Sequence, residues 1–366
     1  MKKFLSIILC LILVFTLAAC GGGNTEGGGI DLNPEADELA GTSETFGTVD
    51  VTATKDALNP LTGEHNMASD RVGMRPYSIS VNNIYDCWPQ YGISQADVIV
   101  EMETEGGITR MMAMYADTRE VPLIGSVRSL RDQFLEVIFP MDPIVVHIGT
   151  SIYADKAVAE HNFRTLDGGT IPAAIYVDRQ RMASYATEHC KFTSGQLIDE
   201  TLDKAKIKSE SSSTNETMFN FVEEGTTVTP TDGAATSVNW LFSTSYKGDG
   251  TFDYDEATGT YLKSQYGQKQ VDAGNEDKQL AFDNVIVLFA DISNIEGTVL
   301  VHVDYQSGGT GYYFSQGQYQ QITWGKGDYS SNFVFKTADG EDLQVNTGKT
   351  YLAVVRDDLA DRLTIA

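Results

Sequence analysis

The sequence runs to 366 residues with a formal charge of −25 at pH 7, and a body this acidic argues against nucleic acid or an anionic bilayer surface as a partner. Five widely spread histidines argue against a catalytic metal centre. No phosphate loop, nucleophile elbow, Ser-x-x-Lys pattern or His-Glu-x-x-His pair is present, so no cofactor and no resident metal is expected, although an acidic cation site stays open.

The first residues, MKKFLSIILCLILVFTLAAC, set Lys2 and Lys3 before an uncharged apolar run from Phe4 to Leu17. The run is short for a membrane span and ends in small residues, the pattern of an export signal over residues 1–19. Leu17-Ala18-Ala19-Cys20 resembles the lipobox of bacterial lipoproteins. The resemblance implies that Cys20 carries a diacylglycerol thioether, heads the mature chain and holds it in the lipid bilayer on the extracytoplasmic side, where more than one acyl chain gives stable anchoring. Residues 20–57 follow as a Gly-rich acidic tether whose only basic residue is Lys55. Such a composition cannot bury a core, and as a coil it reaches roughly 35 Å. Cys87 and Cys190 are then the thiols of the body. An oxidising compartment would let them pair, but buried small thiols are the commoner outcome for two cysteines so far apart, and His189 beside Cys190 is a sequence neighbour rather than a dyad partner.

The body reads as an α/β (α+β) N-terminal domain with a mixed sheet over residues 58–202, a polar linker over 203–215, and an all-β C-terminal domain over 216–366. In chain order, Pro76–Val81, Asp97–Thr104, Ile108–Tyr115 and Pro143–Ile148 have the pattern of strands, and Asp132–Phe139 and Tyr153–Phe163 the spacing of helices. Met218–Val222 is expected to be the first strand of the second domain. Beyond it, short aromatic and β-branched runs separated by Gly and Asp, such as NWLFSTS, AFDNVIVLFADIS and GYYFSQGQYQQITW, predict strands and turns.

Inside the first domain, METEGGITRM (residues 102–111) sets two glycines between strand-like runs. A two-residue hairpin is expected, since both central positions of its turn need positive φ. Glu105 would then face Ile108, Glu103 would face Arg110, and Glu101, Glu103 and Glu105 would share one face with Arg110. A cross-strand Glu103–Arg110 ion pair is the plain reading. Downstream, GSVRSLRDQF (residues 125–134) offers Ser129 as a cap for a helix starting at Leu130. Arg128 and Arg131 at such an end imply either a bound anion or pairing with the glutamates. A second strand-to-helix turn, VVHIGTS (residues 145–151), carries His147 and a capping candidate, Ser151. If both turns open on the same sheet edge, Arg128, Arg131, His147 and Ser151 line one cleft, with His147 as ligand contact or general base, or simply as a satisfied histidine at a strand end.

Arg75-Pro76, QYGISQADVIVE (90–101), EGGITR (105–110), GSVRSLR (125–131) and His147-Ile148-Gly149, with YDEATGTYLKSQYG, DNVIVL and NTGKTYLAVV further on, resemble the two domains of the YerB-type lipoproteins. The likeness covers most of residues 58–358. It implies a two-domain lipoprotein, α/β and then β-rich, and no reaction. Ser126 departs from the resemblance, standing where proline is expected.

Three functions remain open on this reading. The first is a non-catalytic module that binds a cell-wall component such as peptidoglycan, or a wall-acting protein, through Glu103, Glu105, Arg110, Arg128, Arg131, His147 and Ser151. Sugar stacking on Tyr312, Tyr313, Tyr319 and Trp324 would assist it if those rings are exposed. The second is an envelope hydrolase or transferase with Glu105 or Glu103 and His147 as acid and base. The third is an acidic scaffold for basic envelope proteins.

Overall fold

The computed structural model describes residues 48–246 and 248–366; the export signal, Cys20 and the tether up to residue 47 lie outside the described residues. Lys55–Leu58, the end of the tether segment, pairs antiparallel with His65–Ala68, so regular structure begins inside that stretch. The first half then contributes β1 (Tyr77–Asn82), β2 (Val98–Glu103), β3 (Thr109–Tyr115), α1 (Asp132–Ile138), β4 (Ile144–His147), α2 (Ile152–Glu160), β5 (Thr165–Asp167) and α3 (Gly195–Ala205). The second contributes β6 (Ser237–Ser243), β7 (Gly248–Asp255), β8 (Thr260–Gln265), β9 (Asn284–Asn294), β10 (Val301–Asp304), β11 (Gly309–Ser315), β12 (Gln318–Lys326), β13 (Phe333–Thr337) and β14 (Thr350–Arg356).

The two halves share one 12-stranded sheet, whose central order is β12-β11-β9-β14-β2-β3-β1-β4-β5. β14, close to the C-terminus, runs parallel to both β9 and β2 and closes the seam. β2 is buried at every position, VIVEME, because a central strand covered on both faces has no solvated side to alternate toward. On one face, β6, β7 and β8 form a second sheet with short flanking strands, and Trp240, Phe242, Phe252 and Tyr261 pack there against Tyr351, Ile99 and Ala113. On the other face, Phe134, Leu135 and Ile138 of α1 and Ala154 of α2 cover Val100, Met102, Met112 and Val354. The architecture is thus a mixed sheet with helices in the first half and a β-rich second half, as the sequence patterns and the family resemblance imply.

Several local expectations change. Met218–Val222 is not a strand; Phe221 makes an isolated bridge to Val345, and Met218 and Phe219 plug the helical face of the core. α3 has no counterpart in the sequence-based reading. Ser194 caps it, accepting from Leu197 N at 3.1 Å, and Leu197, Ile198, Thr201 and Leu202 form its buried side. The aromatic row is core rather than platform. Tyr313 and Trp324 are buried in the core on the helical face, Tyr312 and Tyr319 pack at the edge of the core on the other face, and the Trp324 indole donates to Phe289 O and Thr310 O. Cys87 and Cys190 are free and buried, and burial pushes the Cys87 thiol up to about 12, far from a reactive thiolate.

Candidate functional site

The two-glycine turn is one residue longer than expected. Glu105–Gly107 forms a single 3₁₀ turn, Thr104 N donates to Ile108 O at 2.7 Å, and the register places Met102 opposite Arg110, Glu101 opposite Met111 and Glu103 opposite Thr109. A shift of one residue exchanges sheet faces. Arg110 therefore leaves the Glu101/Glu103 face, and the expected Glu103–Arg110 pair does not form. Glu103 instead lies 3.5 Å from Arg356, with burial raising its carboxyl.

Arg110 points to the helical face, where it is 1% exposed. Its Nη1 donates to Ser129 O at 2.8 Å and its Nη2 to Glu105 Oε1 at 3.3 Å. Arg131 takes the same carboxylate in a fork, Nε to Oε2 at 2.9 Å and Nη2 to Oε1 at 2.5 Å, the geometry that suits a guanidinium best. Burial alone would raise the Glu105 carboxyl; Arg131 and Arg110 overcome it and bring it down to about 2. Burial, with Arg131 beside it, draws Arg110 down to about 9, still charged at neutral pH. The helix starts at Asp132, with Arg131 rather than Ser129 in the cap position and no side-chain cap, because Ser129 O is engaged by Arg110 and by Ser80 Oγ.

Arg128 is the arginine left over. Its backbone is pinned, N donating to Ser80 O and O accepting from Ile148 N, and the side chain is half-buried. Among the described residues its guanidinium has no ion pair, and its buried Nε, like that of Arg110, has no hydrogen-bond partner. Arg110 and Arg131 thus share one carboxylate, and Arg128, whose charge bears on Arg110, adds a third guanidinium to an island of positive charge in an acidic molecule. The Gly125–Ser126 peptide leading into it is cis, at the position where the resemblance leads one to expect proline.

The second turn does lie beside the first, Leu130 and Thr150 forming a parallel bridge. His147 is nevertheless spent. Its Nδ1–H donates to Gly149 O at 2.9 Å, which leaves Nε2 to accept from the Thr165 hydroxyl at 2.8 Å. The ring is 1% exposed and burial lowers its pKa, with Asp167 opposing, so it is a neutral strut between β4 and β5. Ser151 caps α2, accepting from Ala154 N at 3.0 Å, and its hydroxyl reaches Asp132 Oδ1 at 3.4 Å. Arg110, Arg128, Arg131 and Glu105 therefore come together, while Glu103 and His147 are engaged elsewhere.

A second polar assembly, invisible in the sequence, sits between the two sheets. Glu101 and Lys263 are both fully buried and 3.4 Å apart. Asn83 Nδ2 and Gln265 Nε2 donate to Glu101 Oε1 at 2.7 and 3.1 Å, Tyr351 OH donates to Oε2, and Lys263 Nζ donates to Gln265 Oε1 at 2.9 Å. Each member satisfies another, as a buried ion pair requires. The network ties β2 and the loop after β1 to β8 and β14, so its role is to join the halves, and it offers no opening to a ligand.

Two family descriptions match this chain: the "Protein of unknown function (DUF3048)" N-terminal domain over residues 61–208 and the C-terminal domain of the same name over 242–352. The chain belongs to that two-domain family. It is 25% identical over 307 residues, 81% of this chain and 86% of the relative, to "Putative lipoprotein YerB" of Bacillus subtilis (strain 168). The crystal structure of the YerB protein from Bacillus subtilis superposes with a TM-score of 0.72 at 24% identity, covering 84% of this chain and 99% of that one, and shows the same fold.

Proposed function

We propose that the protein is a lipoprotein anchored through Cys20 on the extracytoplasmic face of the membrane, and that its body is a non-catalytic module binding an anionic ligand, either a cell-wall component or an acidic segment of a wall-acting protein. The observation that carries this reading is the unpartnered Arg128 guanidinium beside Arg110 and Arg131, which share the Glu105 carboxylate. Glu188 acts on Arg128 at a distance without forming an ion pair, so a half-buried guanidinium with an unbonded Nε stays short of acceptors, and an anion supplies what the site lacks. The net charge of −25 makes such an island selective, since the remaining surface repels anions and leaves this place for them. The relative's name supports the lipid anchor, in agreement with the Leu-Ala-Ala-Cys sequence.

Acid–base catalysis has less support. A general base must be free to take a proton near neutral pH, whereas Glu105 is held at about 2 and both nitrogens of His147 are occupied. The test is a thermal-shift screen of the detergent-solubilised protein against soluble anionic wall fragments, with inorganic phosphate as the smallest probe. A ligand that raises the melting temperature of the parent and not of Arg128→Ala supports the reading. Equal shifts in both proteins, or none with any anion, reject it.

A further inference from the structure

On the helical face, apart from the arginines, α1, α2 and β10 enclose a cleft of about 290 Å³. Asp132, Glu136 and Glu160 line it, and so does Gln133. Gln133 is 4% exposed; its Nε2 is directed to Glu103 O at 3.4 Å, and its Oε1 has no donor. The Tyr329 hydroxyl, on the opposite wall, is likewise buried without a partner, its ring held by a flat stack on His161 with 3.8 Å between centroids. Burial raises the Asp132 and Glu136 carboxyls, and the charges of Glu136, Asp132 and Glu160 all bear on the Tyr329 phenol. Lys156, which also lines the cleft, forms no ion pair with these acids among the described residues. Ser151 donates to Asp132 and Gln306 to Glu136, and the charges of His302 and Lys326 bear on these acids, yet the Gln133 oxygen and the Tyr329 hydroxyl stay without a partner, a costly arrangement for buried polar groups.

We propose that this cleft is a binding site for a primary alkylammonium group. An ammonium brings three donors and no acceptor, matching the orphaned Gln133 and Tyr329 oxygens together with a carboxylate, and its positive charge offsets the desolvation of Asp132 and Glu136. A metal ion is a poorer match, since no group of acidic, His or Cys side chains among the described residues is arranged to hold one. The apolar stem of the ligand lies along Ala157, Val303 and the Tyr329 ring, which face the same space. This site uses different side chains from the Arg128 cluster and stands independently of the anion reading.

The test is isothermal titration of the detergent-solubilised full chain with cadaverine, with 1,5-pentanediol as a stem-matched control and Nα-acetyl-lysine amide as the peptide form. Cadaverine is expected to give a saturable heat and the diol none. Glu136→Gln, and separately Glu160→Gln at an exposed position where folding is not at risk, weaken the binding about tenfold each, the loss of one charged contact. Tighter binding of the lysine amide than of cadaverine assigns the ammonium to a peptide; the reverse order assigns it to a free amine. Absence of a saturable heat, an equal response to the diol, or unchanged affinity in both variants overturns the proposal.

Discussion

Replacing Glu105 by Gln isolates what the shared carboxylate contributes. The side chain keeps its shape and loses the charge that holds Arg110 and Arg131. Glu105 falls from an ordinary 4.5 to about 2 on folding, which corresponds to about 3 kcal/mol at 1.36 kcal/mol per tenfold. The carboxylate is 23% exposed, and screening reduces the figure to about 2 kcal/mol. Arg110, 1% exposed, then stays buried beside a like charge, so the loss at pH 7 is expected between about 2 and 3 kcal/mol. The pH dependence follows from the direction of the shift. Because the folded value lies below the unfolded one, the unfolded chain binds more protons between about 4.5 and about 2, and stability rises with pH in that window. The gap between parent and variant should be complete above pH 4.5 and more than half closed by pH 3. Urea unfolding of both proteins in steps from pH 7 to 3 measures it, and comparing the two removes the general acid sensitivity of so acidic a chain. A loss under about 0.5 kcal/mol at pH 7, or a gap that does not narrow with acid, refutes the assignment of Glu105 as the joint counter-ion.

Lys263→Met leaves the Glu101 charge buried without its cation and should cost about 3–5 kcal/mol, most of it regained in the double variant Lys263→Met/Glu101→Gln; denaturant midpoints report both, and an unregained loss would show that packing, not charge, is at stake. His147 is buried neutral with its value lowered from 6.5, so the unfolded chain takes up its proton first as pH falls below 6.5 and the parent loses stability there. His147→Asn should flatten that slope between pH 6.5 and 5, which parallel melting curves check. The two glycines of the turn differ sharply. Both have positive φ, but a Cβ on Gly106 meets nothing within 4 Å whereas one on Gly107 stands 2.4 Å from Ser243 Oγ. Gly106→Asn is expected to cost under about 1 kcal/mol and Gly107→Ala about 1–3 kcal/mol more, read from the shift in unfolding midpoint.

Local chemistry was legible in the sequence at several places where a short range decides it. The helix over Asp132–Ile138, the Ser151 cap, the positive-φ glycines and the β-branched run Ile144–His147 all follow from neighbouring residues, whose steric and hydrogen-bonding preferences act within a turn or a strand. The pairing of Arg131 with Glu105 was one of two readings of the excess charge at a strand-to-helix bend, a bound anion being the other. Two local features were missed, the Ser194-capped α3 and the helix start after Arg131 instead of Ser129; the other failures rested on register or on distant chain. One additional residue in the Glu105–Gly107 turn moved Arg110 to the opposite face, and no local propensity distinguishes the two registers, because only the apolar cover on each side does. Likewise the insertion of β14 between β9 and β2, the Glu101–Lys263 pair, and the meeting of Asp132 and Gln133 with Tyr329 across the ammonium cleft depend on burial shared between segments far apart in the chain. The sequence by itself determined the anchor motif, the acidic body and most of the central strands and helices of the first half. The tertiary structure alone decided which charges are spent on one another and which remain available to a ligand, since a side chain's partner is set by packing in three dimensions and not by its neighbours in the chain.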